Sequence, residues 1–147
     1  MRENLLGVEI VVAVPGSSAP EIAWGDTFFI YDPDGSLPES KHFPFATIVT
    51  KDYGDFDNAS KLDRLGVFRL NIDAGKDGHE ALFGSDQEFD FTELDVLMPH
   101  PVYGRNHWVC VLNPSDATFE GLKPLLTAAY KAAVDRFDRV SDRASRS

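Results

Sequence analysis

MPHPVYGRNHWVCVLNP, residues Met98 to Pro114, decides how the rest of the chain is read. It holds two of the four histidines, one of the two tryptophans, the only cysteine and three of the nine prolines. A loop stiffened by Pro99 and Pro101, whose rings fix φ, runs into Asn106 to Leu112, an apolar, β-branched run that reads as a strand. Behind it Phe119, Leu122, Leu126, Ala129, Ala133 and Phe137 recur every three or four residues, which makes one face of a long helix apolar. Thr118 suits its N-cap. Pro124 should kink this helix or mark a restart, because it has no N–H for the carbonyl of residue 120. A strand that leads into a long amphipathic helix belongs to a sheet with helices on one face.

Upstream, the strands are legible from β-branched runs closed by turn residues. Arg2 to Leu6 reads as the end of a helix capped by Gly7. Val8 to Val14 is the first strand, followed by the turn Pro15-Gly-Ser-Ser. The second is Thr27 to Tyr31, drawn back as far as Ile22, and it ends at Asp32-Pro-Asp-Gly35. Phe45 to Thr50 is the third. In the fourth, Val67 to Ile72, side chains alternate: Phe68, Leu70 and Ile72 face one way, Arg69 and Asn71 the other. Lys76 to Phe83 and Phe91 to Leu97 are short helical candidates. The expected fold is α+β, a mostly antiparallel sheet of about five strands with helices packed on one face and a long C-terminal helix. It forms a single α+β domain over residues 1–139, with 140–147 as a frayed polar tail. Phe68, Leu70, Ile72, Trp108, Leu122 and Leu126 should share one core, leaving Arg69, Asn71 and Thr47 or Lys51 on the sheet's other face.

Composition narrows the function classes. A chain of 147 residues with 43% hydrophobic and 12% aromatic content is long enough for one well-formed core. One cysteine cannot form an internal disulfide. No apolar run approaches the roughly 20 residues that span a bilayer, and the start lacks a signal-peptide core. The expectation is a cytoplasmic protein with no membrane partner, monomeric or homodimeric. Net charge is −10, from 14 Lys and Arg against 24 Asp and Glu. Nucleic-acid binding needs cations that displace counterions, and this balance opposes it. Arg136, Arg139, Arg143 and Arg146 are clustered but alternate with Asp135, Asp138 and Asp142.

Motifs for chemistry are sparse. The sequence has no HxxxH, HExxH or CxxC for a metal, and no Gly-rich phosphate loop, so neither metal nor cofactor is expected. Cys110, between Val109 and Val111, reads as an inert core thiol. The more promising pattern is polar and aromatic residues at strand ends, where a scaffold presents side chains to a ligand. Trp24, Lys51, Arg64, Arg69, Asn71, His100 and Tyr103 are expected around one concavity. Trp24 and Tyr103 suit a flat molecule, while Lys51, Arg64 and Arg69 suit an anion. The reading that follows is a protein binding a small aromatic or anionic molecule. An enzyme using His100 or Tyr103 in acid–base chemistry is the alternative, and a DNA-binding module, opposed by the charge, is the third.

Several of these segments carry a family resemblance. Trp24 to Tyr31, Phe45 to Thr50, Val67 to Ile72, His107-Trp108 and Leu125 to Tyr130 resemble the MmcQ/YjbR-like proteins. Those are small bacterial α+β domains related in fold to the frataxin-like group. Pro20-Glu-Ile-Ala-Trp-Gly-Asp26, Thr50-Lys-Asp52 and His100-Pro-Val-Tyr103 resemble a bacterial subfamily of unknown function. The resemblance implies the fold above, with a longer first helix than Arg2 to Leu6 supplies. It also implies a DNA-binding label, which the charge of this chain disfavours, and it implies no catalytic residue. The loops Asp52 to Asp63 and Met98 to Asn106 depart from the compact pattern of the group.

Overall fold

Leu70 and Ile72 are buried on one side of their strand and Arg69 and Asn71 on the other, and this alternation organises the molecule. The computed structural model describes residues 8–13, 15, 24–33, 43–53, 57–64, 66–83 and 88–146, the last seven and residues 77 and 81 by backbone alone. The helix expected at Arg2 to Leu6 and most of the turn after Val14 lie outside the described residues. The described residues form six strands: β1 (Val8–Val12), β2 (Thr27–Tyr31), β3 (Ala46–Val49), β4 (Arg69–Asp73), β5 (Met98–Pro99) and β6 (Trp108–Leu112). They form one sheet in the order β1-β2-β3-β4-β6-β5, with every neighbouring pair antiparallel. The helices are α1 (Gly75–Leu82) and α2 (Asp116–Arg146). The α+β class with a long C-terminal helix is therefore correct. The strand count is six rather than about five, because Met98 and Pro99 pair with Cys110 and Val109 and add a short edge.

The helix α2 buries Leu122, Leu126, Ala129 and Ala133 against Phe29, Ala46, Leu70, Ile72, Val109 and Val111. Tyr31 meets Tyr130 and Phe137 edge-on at 5.7 and 5.4 Å, an arrangement favoured by the ring quadrupoles, and seats the C-terminal half of α2 on β2. The cap is Ser115, not Thr118. Its Oγ accepts the N–H of Thr118 and its carbonyl that of Phe119, and the Asp95 carboxylate accepts its own N–H. Pro124 lies inside an unbroken α2 on an exposed side, so it neither ends the helix nor marks a restart. The backbone stays helical through Arg146, past the point near Val140 where a polar run suggests fraying.

Three further expectations change. Phe91 to Leu97 is not a helix. The Asp90 carboxylate accepts both the N–H and hydroxyl of Thr92, Leu94 bridges to Leu112, and Asp95 takes a positive φ of 62°, so side-chain bonds turn the backbone instead. Trp108 is not in the α2 core: it pairs with Asp73, whose side chain lies on the sheet face that α2 leaves open. Phe68 precedes β4, is only partly buried, and also stays outside that core. The open face has its own apolar cluster, Val49, Leu62, Met98, Cys110 and Leu112. Burial pushes the Cys110 thiol up to about 12, so it is inert at neutral pH.

The two faces should differ in mutational sensitivity. Leu126→Ala should cost roughly 2–5 kcal/mol, as a buried Leu truncation does. Trp108→Ala should cost only about 1–2 kcal/mol, because part of its surface is already solvated. Urea denaturation of the two variants checks the order, and a larger loss for Trp108→Ala would place the main core on the wrong face.

Candidate functional site

The open face is built around Arg69, which is fully buried although it is the most polar residue of its strand. A buried guanidinium needs acceptors for its hydrogens and a counter-charge, or it destabilises the fold by several kcal/mol. The loop before β4 supplies both. Nη1 and Nη2 donate to Asp57 Oδ1 and Oδ2 at 3.1 and 2.5 Å, a two-pronged pairing, and Nη1 also donates to Ser60 Oγ at 3.1 Å. Nε donates to Asn71 Oδ1 at 2.8 Å, and Asn71 passes its own N–H to Thr47 Oγ1 at 3.0 Å. Asp57 is held in place by Tyr53, with which it exchanges backbone hydrogen bonds of 2.9 and 3.3 Å.

His100 closes the cluster from the other side. Its backbone N–H donates to the Trp108 carbonyl, and its carbonyl accepts from Gly104. Its ring Nδ1 accepts the backbone N–H groups of Val102 and Tyr103 at 3.0 and 2.9 Å. Nε2 lies 3.1 Å from Arg69 Nη2 and 3.8 Å from Asp57 Oδ2. Burial, and then the positive Arg69, pull the imidazole pKa down to about 3 against the opposing pull of Asp57. The ring is neutral at physiological pH. Tyr103 is exposed and its ring tilts over His100 at 5.1 Å.

These groups border a cavity of about 500 Å³ on the open face. Thr47, Arg69, Asn71 and Asp73 reach it from the sheet, and Phe28, Phe43, Pro44, Tyr53, Tyr103 and Trp108 give it a mostly aromatic wall. Arg136 reaches it from α2 and stands 4.0 Å from Asp73. Among the described residues, no group of three or more His, Cys, Asp or Glu is placed to hold a metal ion. No helix among them is long and apolar enough to cross a membrane.

Of the seven residues singled out in the sequence, Arg69, Asn71, His100 and Tyr103 border this cavity together. Lys51 and Trp24 do not. Lys51 Nζ bonds the Trp24 carbonyl and lies 3.7 Å from Asp26, which is fully buried and also accepts from Thr50 and the Tyr53 hydroxyl. This group braces Tyr53 from behind. Burial and the Asp26 carboxylate hold the Tyr53 phenol above its ordinary pKa, so it stays protonated. Arg64 is a strut elsewhere: it donates to the carbonyls of Ser60, Lys61 and Thr92 and borders a separate shallow hollow. Asp57, Tyr53 and Asp73 also border the cavity and Ser60 supports Arg69, none of them singled out in the sequence. Trp108 and Arg136 reach the cavity although the sequence places one in the core and the other in a charged C-terminal run. Asp57 had one signal, an acidic loop next to a strand with an arginine on its polar side.

Residues 1–143 match the family described as a Family of unknown function (DUF6194), and the chain belongs to it. It matches no curated protein and no solved structure. Neither result bears on the MmcQ/YjbR-like resemblance.

The depressed His100 pKa gives a sign-definite pH dependence. An unfolded histidine takes up a proton near pH 6.5, whereas the folded one does so only near 3, so stability present above pH 6.5 is lost as the pH falls between them. At pH 5 the loss from this group should be about 2 kcal/mol. Urea unfolding from pH 7 to 4 should show a shallower slope for His100→Gln than for the unaltered protein. Parallel slopes would mean that His100 titrates normally.

Proposed function

We propose that the protein binds a small, flat, largely apolar molecule in the cavity on the open face of its sheet. The observation that carries this is a fully buried, ion-paired Arg69 beneath a cavity of about 500 Å³ with aromatic walls. That volume lies in the range of ordinary ligand pockets, which are apolar with a few polar groups at fixed places. The charge of the site favours an aromatic over an anionic ligand. Asp57 neutralises Arg69, and Asp73 faces Arg136, so each described cation at the cavity already has a carboxylate beside it.

Acid–base catalysis is the weaker reading. Both ring nitrogens of His100 have close polar neighbours, its pKa lies far from neutrality, and the Tyr53 phenol is held protonated. A catalytic acid or base works best with a pKa near the working pH. Binding to DNA is weaker still on a chain of net charge −10.

Thr47→Phe places a ring on the cavity floor beside Phe28 and Asn71 and tests the reading. Saturation-transfer NMR with indole and benzamide as probes should show binding to the unaltered protein, weakened by at least about tenfold in the variant. The variant's melting temperature reports whether it has kept its fold. Equal binding by a folded Thr47→Phe protein, or no binding of either probe to the unaltered one, would reject the cavity as a ligand site.

A further inference from the structure

Arg69 has five N–H hydrogens, and in a fully buried side chain each needs an acceptor. Four are accounted for, by Asn71 Oδ1, Ser60 Oγ and the two oxygens of Asp57. The fifth, on Nη2, faces His100 Nε2 at 3.1 Å. The far side of the ring decides whether that nitrogen can accept it. Nδ1 receives two backbone N–H groups, from Val102 and Tyr103, so it carries the lone pair. A neutral imidazole has a single N–H, which is then on Nε2. Two donors therefore face each other. The other tautomer would replace this one donor–donor contact with two, at Nδ1. Asp57 Oδ2, 3.8 Å from Nε2, is beyond hydrogen-bond reach and already accepts from Arg69.

We propose that these converging donors, Arg69 Nη2 and His100 Nε2, recognise the carbonyl oxygen of an uncharged planar ligand. This rests on the reading of the cavity as a small-molecule site. One carbonyl oxygen has two lone pairs and accepts both hydrogens, which gives the cluster the acceptor that its described residues do not supply. Charge selects a carbonyl over a carboxylate or phosphate. With Arg69 matched by Asp57, an anion buried here would meet no unmatched cation among the described residues, and burying an unpaired charge is costly. Phe28, Tyr53 and Trp108 suit the flat body of such a ligand, as an aromatic amide, lactam or nucleobase-like ring would offer.

The test uses the full chain at neutral pH with three probes of matched shape: benzamide, benzoate and ethylbenzene. Amide-shift titrations should give benzamide an affinity at least about tenfold above the other two. Long-range proton–nitrogen NMR of the unaltered protein should show His100 protonated at Nε2 and bare at Nδ1, with the Nε2 resonance moving as benzamide is added. His100→Phe should remove the preference for benzamide over ethylbenzene. A proton on Nδ1 removes the premise and overturns the proposal. Benzoate or ethylbenzene binding as tightly as benzamide, while Thr47→Phe blocks all three, overturns the carbonyl proposal and leaves the cavity reading intact. Probes that ignore Thr47→Phe, or no binding at all, overturn both.

Discussion

The paired burial of Arg69 and Asp57 is the constraint on which the open face of this protein depends. A guanidinium with no solvent contact must take its counter-charge and its acceptors from the fold. Asp57 and Ser60 lie in the loop before β4, and His100 lies in the loop before β6, so satisfying one side chain draws two separate segments over the sheet. Leu62, in the first of those loops, and Met98, in β5 just before the second, bury beside Val49, Cys110 and Leu112. The polar cluster and the small apolar one beside it hold each other in place.

What the face can do follows from how rigidly it is held. The helix α2 packs over one side of the sheet, while the loops cover the other only in part and leave the cavity between Phe28, Tyr53 and Trp108. Two groups that line it, His100 and Tyr53, and the Cys110 thiol buried in the neighbouring apolar cluster are each fixed in one protonation state near neutrality. His100 is neutral, the Tyr53 phenol is protonated, and the Cys110 thiol is driven up by burial. Fixed hydrogen-bond roles of this kind suit the recognition proposed for the site, because roles that do not change favour specificity. The ordering cost of binding is also low where donors are already aimed.

Local periodicity made much of the fold legible. The alternation from Arg69 to Ile72 and the three-and-four spacing from Phe119 to Phe137 are properties of neighbouring residues, and both survive in the structure as read. What escaped depends on distant partners. Asp57 is invisible as a ligand of Arg69, because twelve residues and a loop separate them and composition says nothing about which way that loop folds. Trp108 reads from the sequence as a core residue, yet its register opposite Asp73 places it on the open face. Ser115 and Thr118 both carry hydroxyls at a helix start, and the choice was settled by Asp95, a residue twenty positions upstream of Ser115. For the site, the sequence found the residues on the polar side of β4 and in the Pro-stiffened loop. It misplaced Arg64, whose carbonyl partners cannot be read from side-chain identity.

The central claim is that Arg69 and Asp57 act as one unit, and a double-mutant cycle measures this directly. Asp57→Ala leaves a buried, unpaired guanidinium and should destabilise the protein by roughly 3–5 kcal/mol in urea unfolding. Arg69→Met introduced into that background should cost little more, or recover stability, since an apolar side chain of similar length needs no counter-charge. If the two losses instead add to within about 0.5 kcal/mol, the residues are independent, and the open face is not organised around this pair.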